Sequence, residues 1–131
     1  MRPKVVLDTN IMVSSIYGGH PRRIIEMWKA GQLTLLVTDE TREEYLATLA
    51  EFVSSRTLGD WKTSLRRLTI EVRPATVPRV ATHPEDDRFL GCAVGGRARY
   101  LVTGDGPMLK LGRYGVTRIL QPATFVHELL S

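Results

Sequence analysis

The sequence predicts an α/β fold in which a mostly parallel sheet is covered by helices on both faces. Short apolar segments of strand length alternate along the chain with segments whose apolar residues recur at helical spacing. The apolar segments do not alternate with polar residues, which is typical of parallel strands that are buried on both faces. Such strands and helices join through right-handed crossovers, so we expect a three-layer α/β/α arrangement around four to five strands.

The first half of the chain carries two of these strands and three helices. Gly18 to Pro21 break the chain before the first helix, Gly31 is a natural stop for it, and Thr38 is a suitable N-cap for the second. The third helix repeats its apolar residues at i, i+4 and i+7. The predicted strands are residues 4–7 and 33–37, and the predicted helices are residues 22–30, 39–53 and 59–68.

The second half begins with a short candidate strand and a connection punctuated by prolines. Pro84 and Pro122 each suit the first turn of a helix, and Gly95 ends the first of these two helices. Gly104-Asp105-Gly106 has the composition of a turn after a strand. The expected elements are strands at 70–72, 100–103 and 117–120, a helix from 84 to 95, and a terminal helix from 122.

The composition is that of an ordinary globular domain. The chain has 131 residues, of which 43% are hydrophobic and 24% charged, so we expect residues 1–131 to form one domain. We find no apolar run long enough to span a membrane and no pattern typical of a secretory signal. Cys92 is the lone cysteine and cannot form an internal disulfide. These features favour a cytoplasmic protein with no membrane association.

Two acidic residues follow predicted strands at their carboxyl ends. Asp8 comes directly after residues 4–7, and Asp105 follows residues 100–103 after one glycine. Ligands bind beyond the carboxyl ends of the strands in sheets of this kind, so we expect the two carboxylates to lie at one edge. Structural alternatives remain open, because Asp8 also suits an Asx turn or a helix N-cap, and Asp105 also suits a plain turn.

Two further acidic positions are candidates for the same edge. Glu44 lies one turn into the helix that Thr38 caps, although it would belong to a capping box if that helix began later at Thr41. Asp87 opens the next helix and lies at the edge of its apolar face, since Leu90 and Ala93 follow at i+3 and i+6. We therefore prefer Asp87, with Asp86 as the alternative ligand.

Four converging carboxylates need a compensating cation. Each pair about 4 Å apart repels by about 1 kcal/mol in water and by about 4 kcal/mol at an effective dielectric constant of 20. Oxygen donors without histidine or cysteine favour Mg²⁺ or Mn²⁺ over zinc. His20, His83 and His127 lack metal-ligand spacing and are expected to be surface residues.

The net charge of +4 permits binding to a polyanion but does not require it. Arginine suits phosphate because its planar guanidinium donates two parallel hydrogen bonds. Arg22, Arg23 and Arg88 are the arginines that we expect to flank the site, where they would bind a phosphodiester backbone.

These motifs resemble those of the PIN-domain nucleases over essentially the whole chain. The opening Asp-Thr-Asn and the acidic run after Pro84 look most like the branch that contains toxins of toxin–antitoxin pairs. The resemblance rests on Leu7-Asp8-Thr9-Asn10, Glu44 before Tyr45-Leu46, Asp86-Asp87-Arg88-Phe89-Leu90, and Thr103-Gly104-Asp105.

The resemblance implies a Mg²⁺- or Mn²⁺-dependent endoribonuclease that holds one or two ions. It implies that Asn10 and Thr103 orient the first acid and the attacking water. It also implies a homodimer and a small antitoxin partner. Many relatives carry a further Asp two positions after the last acid, where this chain has Pro107, so the second metal is in question. The catalytic and metal-binding roles fall on Asp8, Glu44, Asp87 and Asp105.

The sequence lacks residues that two other enzyme classes require. A phosphatase of the haloacid-dehalogenase type needs a second Asp two residues after the first, where this chain has Asn10. A receiver domain needs paired acids after the first strand and an Asp after the third, and neither is seen. The remaining alternative is a catalytically inactive PIN-fold module that binds RNA or protein.

Overall fold

The computed structural model describes residues 2–130, and within them six strands form one sheet in the order β3-β2-β1-β4-β6-β5. All neighbouring pairs are parallel except the antiparallel pair β5–β6. The expected α/β class and mostly parallel sheet are confirmed. The strands are β1 (Lys4–Leu7), β2 (Thr34–Val37), β3 (Thr69–Glu71), β4 (Tyr100–Val102), β5 (Arg113–Tyr114) and β6 (Thr117–Leu120).

The expected number of strands, four to five, was too low. The strand missed is β5, which has two residues and no apolar run, and which exists only because it pairs with β6 through Tyr114 and Thr117. Pairing of this kind depends on the turn that brings two segments together rather than on the segment's own pattern.

The helices cover the sheet on both faces, as expected for a three-layer arrangement. None of the helices within residues 2–130 is long and apolar enough to cross a membrane. Short 3₁₀ turns lie at Ser15–Tyr17 and Pro84–Asp86. The helices are α1 (Thr9–Ser14), α2 (Gly19–Lys29), α3 (Asp39–Leu49), α4 (Ser55–Arg67), α5 (Asp87–Gly95), α6 (Gly106–Leu111) and α7 (Pro122–Leu130).

Two helix boundaries differ from the prediction in ways that matter for the site. Gly104-Asp105-Gly106 is not a turn between strands; Asp105 caps α6, with its side chain accepting the Met108 amide. Helix α3 ends at Leu49, so Phe52 lies outside it and is half exposed. The start of α3 is as predicted, because Thr38 is its N-cap.

The N-terminal cap of α3 does not involve Glu44. The side chain of Thr38 accepts the Thr41 amide at 3.1 Å, and the Thr41 hydroxyl accepts the Thr38 amide at 2.9 Å. The reciprocal capping box is thus complete without a glutamate. The alternative in which Glu44 belongs to a capping box is therefore excluded.

Close backbone contact joins α5 to the segment that follows β3. The Ala75 amide donates to the Gly91 carbonyl at 3.0 Å. A Cβ atom added to Gly95 would lie 1.9 Å from the Arg73 carbonyl oxygen, far inside van der Waals contact. Glycine is therefore required at Gly95 by the approach of another backbone.

Candidate active site

Asp8 lies at the carboxyl end of β1 and is almost completely buried. It caps α1, with Oδ1 accepting the Asn10 amide at 3.2 Å. The hydroxyl of Thr103 donates to Oδ2 at 2.7 Å. The N-cap alternative considered for Asp8 is thus correct, and the carboxylate is held in a fixed orientation from both sides.

Asp105 lies at the end of β4, beside Asp8. Its carboxylate accepts the Met108 amide at 3.1 Å and the Thr82 amide at 3.1 Å. The Thr103 hydroxyl oxygen accepts the Asp105 amide at 3.0 Å while donating to Asp8. Thr103 therefore links the two acids. They lie at the same edge of the sheet, as expected for residues at the carboxyl ends of neighbouring parallel strands.

Glu44 reaches the same edge from α3. The hydroxyl of Thr9, the residue after Asp8, donates to Glu44 Oε2 at 2.5 Å. Next to it, the Tyr45 hydroxyl donates to the Leu7 carbonyl, which fixes α3 against the end of β1. Sequence reasoning did not assign Thr9 a role; its place between an acid and an asparagine at a strand end was the available signal.

The acidic triplet, which consists of Glu85, Asp86 and Asp87, contains two residues with different contacts. Asp86 lines a small pocket together with Asp8, Thr103 and Asp105. Asp87 instead accepts the backbone amides of Val80 and Ala81 on one oxygen, at 3.0 and 2.8 Å. Asp87, which the sequence favoured as a ligand, therefore accepts backbone amides, and the alternative, Asp86, is the one that lines the pocket.

The different contacts of Asp86 and Asp87 arise from the 3₁₀ turn that precedes α5. Residues Pro84–Asp86 form that turn, and α5 begins only at Asp87. The apolar period of α5 therefore cannot be extended backwards through the triplet to decide which acid faces the sheet.

The pocket disfavours negative charge on Asp8 and Asp86. Burial raises the pKa of Asp8; the hydrogen bonds from Thr103 and Asn10 act against this rise, and the charge of Asp105 adds to it. Burial, followed by the charges of Asp8 and Glu44, raises the pKa of Asp86 to about 6. A cation placed among these groups would favour their ionised forms.

Asp105 behaves differently from its neighbours. Burial alone would raise its pKa, but the hydrogen bonds from Thr82 and from the Met108 amide outweigh burial and lower the pKa. At neutral pH it is therefore the acid of the pocket that is most readily ionised.

The donor chemistry of the pocket fits a hard divalent cation, because the acids supply oxygen only and repel one another. Among residues 2–130, however, no three acidic, histidine or cysteine side chains are grouped closely enough to hold a metal ion as they stand. The carboxylates of Asp8 and Asp105 bind protein donors. The described acids therefore supply the oxygen donors that such a cation prefers without forming a complete ligand set.

Only one of the three predicted phosphate-binding arginines lies beside the acids. Arg88 pairs with Glu40 at 3.2 Å and with Glu44 at 3.7 Å. Arg22 donates to the Ser15 and Ile16 carbonyls at the end of the 3₁₀ turn, and Arg23 approaches Glu26 at 3.9 Å. The three histidines are exposed, as expected: His20, His83 and His127.

Comparison with known proteins identifies the same fold family as the motifs did. A family model described as PIN domain matches residues 4–106, which is most of the chain. No curated protein matches the sequence. The matched range includes every acid at the edge of the sheet: Asp8, Glu44, Asp86 and Asp105.

Proposed function

Because the chain belongs to the PIN domain family, whose members are generally nucleases, we propose that it is a metal-dependent endoribonuclease. The observation that carries this proposal is the pocket in which Asp8, Asp86 and Asp105 meet, with Glu44 one hydrogen bond away through Thr9. Acids that repel one another in a partly buried site favour cation binding over a purely structural role.

PIN domains typically use divalent metal ions, and we propose Mg²⁺ or Mn²⁺ for this chain. The residues that would hold one or two ions are Asp8, Asp86 and Asp105, with Glu44 as a further donor. Such an ion activates water near neutral pH and stabilises charge on the leaving oxygen.

The protein's own residues then have distinct tasks. Thr103 fixes the positions of Asp8 and Asp105 relative to each other through its two hydrogen bonds. Thr9 orients Glu44, which accepts the proton of the attacking water. Arg88, which already lies beside Glu44, binds the phosphate under attack. Asn10 contributes an exposed polar side chain to the rim of the site.

We further propose that the protein is a cytoplasmic toxin that forms a homodimer and is silenced by a small antitoxin. The support is the resemblance of Asp8-Thr9-Asn10 and of the run after Pro84 to that branch. Growth arrest on expression, relieved by a neighbouring small gene, would test the toxin role. An inactive binding module is the competing function, and cleavage assays separate the two.

The nuclease activity is tested with an end-labelled, single-stranded RNA incubated with protein in Mn²⁺, Mg²⁺ or EDTA. We expect fragments from internal cleavage with either metal and none in EDTA, with activity restored when metal is added back. Intact RNA in both metals, from protein whose circular dichroism shows it to be folded, would contradict the proposal.

Metal binding should also raise thermal stability. A ligand at 100 times its Kd stabilises the folded state by about 2.7 kcal/mol, so saturating Mn²⁺ should raise the Tm by on the order of 10 °C for a domain of this size. Differential scanning fluorimetry measures this shift. Asp60→Asn, which changes an exposed acid on α4, should keep it. An unchanged Tm in Mn²⁺ would argue against a metal site.

The two assignments of the acidic triplet are separable by mutation. Asp86→Asn should weaken Mn²⁺ binding and cleavage by about 10- to 100-fold, because it removes a carboxylate from the pocket. The matched control is Glu85→Gln, one residue earlier in the same turn and exposed, which should cleave like the native protein. Equal activity of the two variants would remove Asp86 from the site.

A further inference from the structure

We propose that Asp87 is a positioning residue that acts on the active site through the strap, which we define as residues 80–82. This inference rests on the proposed function, since it assigns Asp87 a role in preparing Asp105 for metal and substrate. The role differs from the metal-ligand role that the sequence suggested for Asp87. It depends on two hydrogen-bonded links, one from Asp87 to the strap and one from the strap to Asp105.

The first link joins α5 to the strap. One carboxylate oxygen of Asp87 accepts both the Val80 amide, at 3.0 Å, and the Ala81 amide, at 2.8 Å. Ala81 is buried, so its amide needs a partner within the protein. Asp87 is the first residue of α5, and it therefore ties the strap to a helix that packs on the central strands.

The second link joins the strap to the site. The amide of Thr82 donates to both oxygens of Asp105, at 3.1 and 3.4 Å. Thr82 follows directly on Ala81, so the position of its amide is set by the two bonds that Asp87 makes. The Met108 amide holds Asp105 from the other side.

The strap is not part of a helix or a strand. No helix or strand is assigned between Val72 and His83, and the stretch contains Pro74 and Pro78, which cannot donate backbone hydrogen bonds. The earlier part is held by the contact of Ala75 with Gly91. Asp87 supplies the corresponding attachment at the later part, next to Asp105.

The consequence for the site is control over the orientation of Asp105. Groups that hold a metal-ligating carboxylate typically change metal affinity by about 10- to 100-fold when they are removed. Loss of the Asp87 anchor should release the Thr82 amide and leave the carboxylate of Asp105 with the Met108 amide as its remaining donor. Asparagine at 87 should preserve the anchor, because its carbonyl oxygen accepts the same two amide bonds.

The test compares Asp87→Ala with Asp87→Asn in the full chain. NMR measures the hydrogen-exchange rates of the Val80, Ala81 and Thr82 amides in the absence of metal. Fluorimetric titration measures the affinity for Mn²⁺. We expect Asp87→Ala to accelerate exchange at all three amides and to weaken Mn²⁺ binding about tenfold or more. We expect Asp87→Asn to restore slow exchange and most of the affinity.

Two results would overturn the proposal. If the amides of Val80 and Ala81 exchange as slowly in Asp87→Ala as in the native protein, Asp87 does not hold the strap. If folded Asp87→Asn binds Mn²⁺ as weakly as Asp87→Ala, the charge of Asp87 matters directly and the residue is a ligand. Should Asp87→Ala not fold, Asp87→Asn is compared with the native protein instead: native-like exchange at the three amides and native-like Mn²⁺ affinity support the proposal, and an affinity about tenfold weaker than native or worse contradicts it.

The same experiment separates this inference from the proposed function. If the native protein neither binds Mn²⁺ nor cleaves RNA, the nuclease proposal fails, and exchange at Thr82 still decides whether Asp87 controls the strap. If the native protein is an active nuclease and the two Asp87 variants match it in affinity and exchange, the nuclease proposal stands and the strap proposal fails.

Discussion

Replacing Asp8 with asparagine is expected to reduce metal-dependent RNA cleavage by more than about 100-fold. Asp8 is the acid that is most deeply buried in the pocket, and its two oxygens are oriented by the Asn10 amide and the Thr103 hydroxyl. Asparagine keeps the shape and an acceptor for one of these donors but removes the negative charge that a divalent cation needs. The measurement is the initial rate of RNA cleavage in Mn²⁺ under single-turnover conditions.

Stability distinguishes loss of chemistry from loss of fold. Burial raises the pKa of Asp8, so the ionised carboxylate is costly in the folded protein without metal. We therefore expect Asp8→Asn to melt in EDTA at the same temperature as the native protein or slightly above it. Asp60→Asn serves as the control for both assays. Native-like cleavage by Asp8→Asn would refute the proposed mechanism.

The second large effect concerns folding rather than chemistry. Gly95→Ala is expected to lower the free energy of unfolding by about 3 kcal/mol or more, the upper end of the range for overpacking. The new Cβ would lie 1.9 Å from the Arg73 carbonyl oxygen and 3.0 Å from the Ala75 amide nitrogen. Both neighbours are backbone atoms, so relief requires that α5 or the segment after β3 move. Urea unfolding followed by circular dichroism measures the change.

Gly59→Ala is the matched control for this substitution. Gly59 lies in the interior of α4, and nothing lies within 4 Å of a Cβ added there. Alanine favours helix over glycine, so this variant should be more stable than the native protein by about 0.5–1 kcal/mol. If the two variants have the same stability, the close approach between α5 and Arg73 does not constrain the fold.

Sequence patterns predicted the strands well because each buried strand is a continuous apolar run. The runs ending at Leu7 and Val102 also placed Asp8 and Asp105 at the same edge, since the carboxyl ends of parallel strands share one side of a sheet. Thr103, expected from family resemblance to support the first acid, does donate to Asp8. These relations follow from short stretches of chain and from one topological rule.

The patterns did not predict which groups the arginine side chains contact. Arg22 was expected to bind phosphate, but it donates to the carbonyl groups of a nearby 3₁₀ turn. Arg88 pairs with Glu40 and Glu44, which lie more than forty residues before it. The sequence shows that such side chains are charged, but it does not show which groups they contact in the folded protein.

The amino-acid sequence by itself determined the α/β class, the order of the main elements and the pair of acids at the ends of β1 and β4. These depend on hydrophobic periodicity and strand direction, which are local properties. Only the tertiary structure distinguished the surroundings of Asp86 from those of Asp87. The two residues are neighbours with the same side chain, but Asp86 lines the pocket with Asp8 and Asp105, whereas Asp87 accepts the amides of Val80 and Ala81.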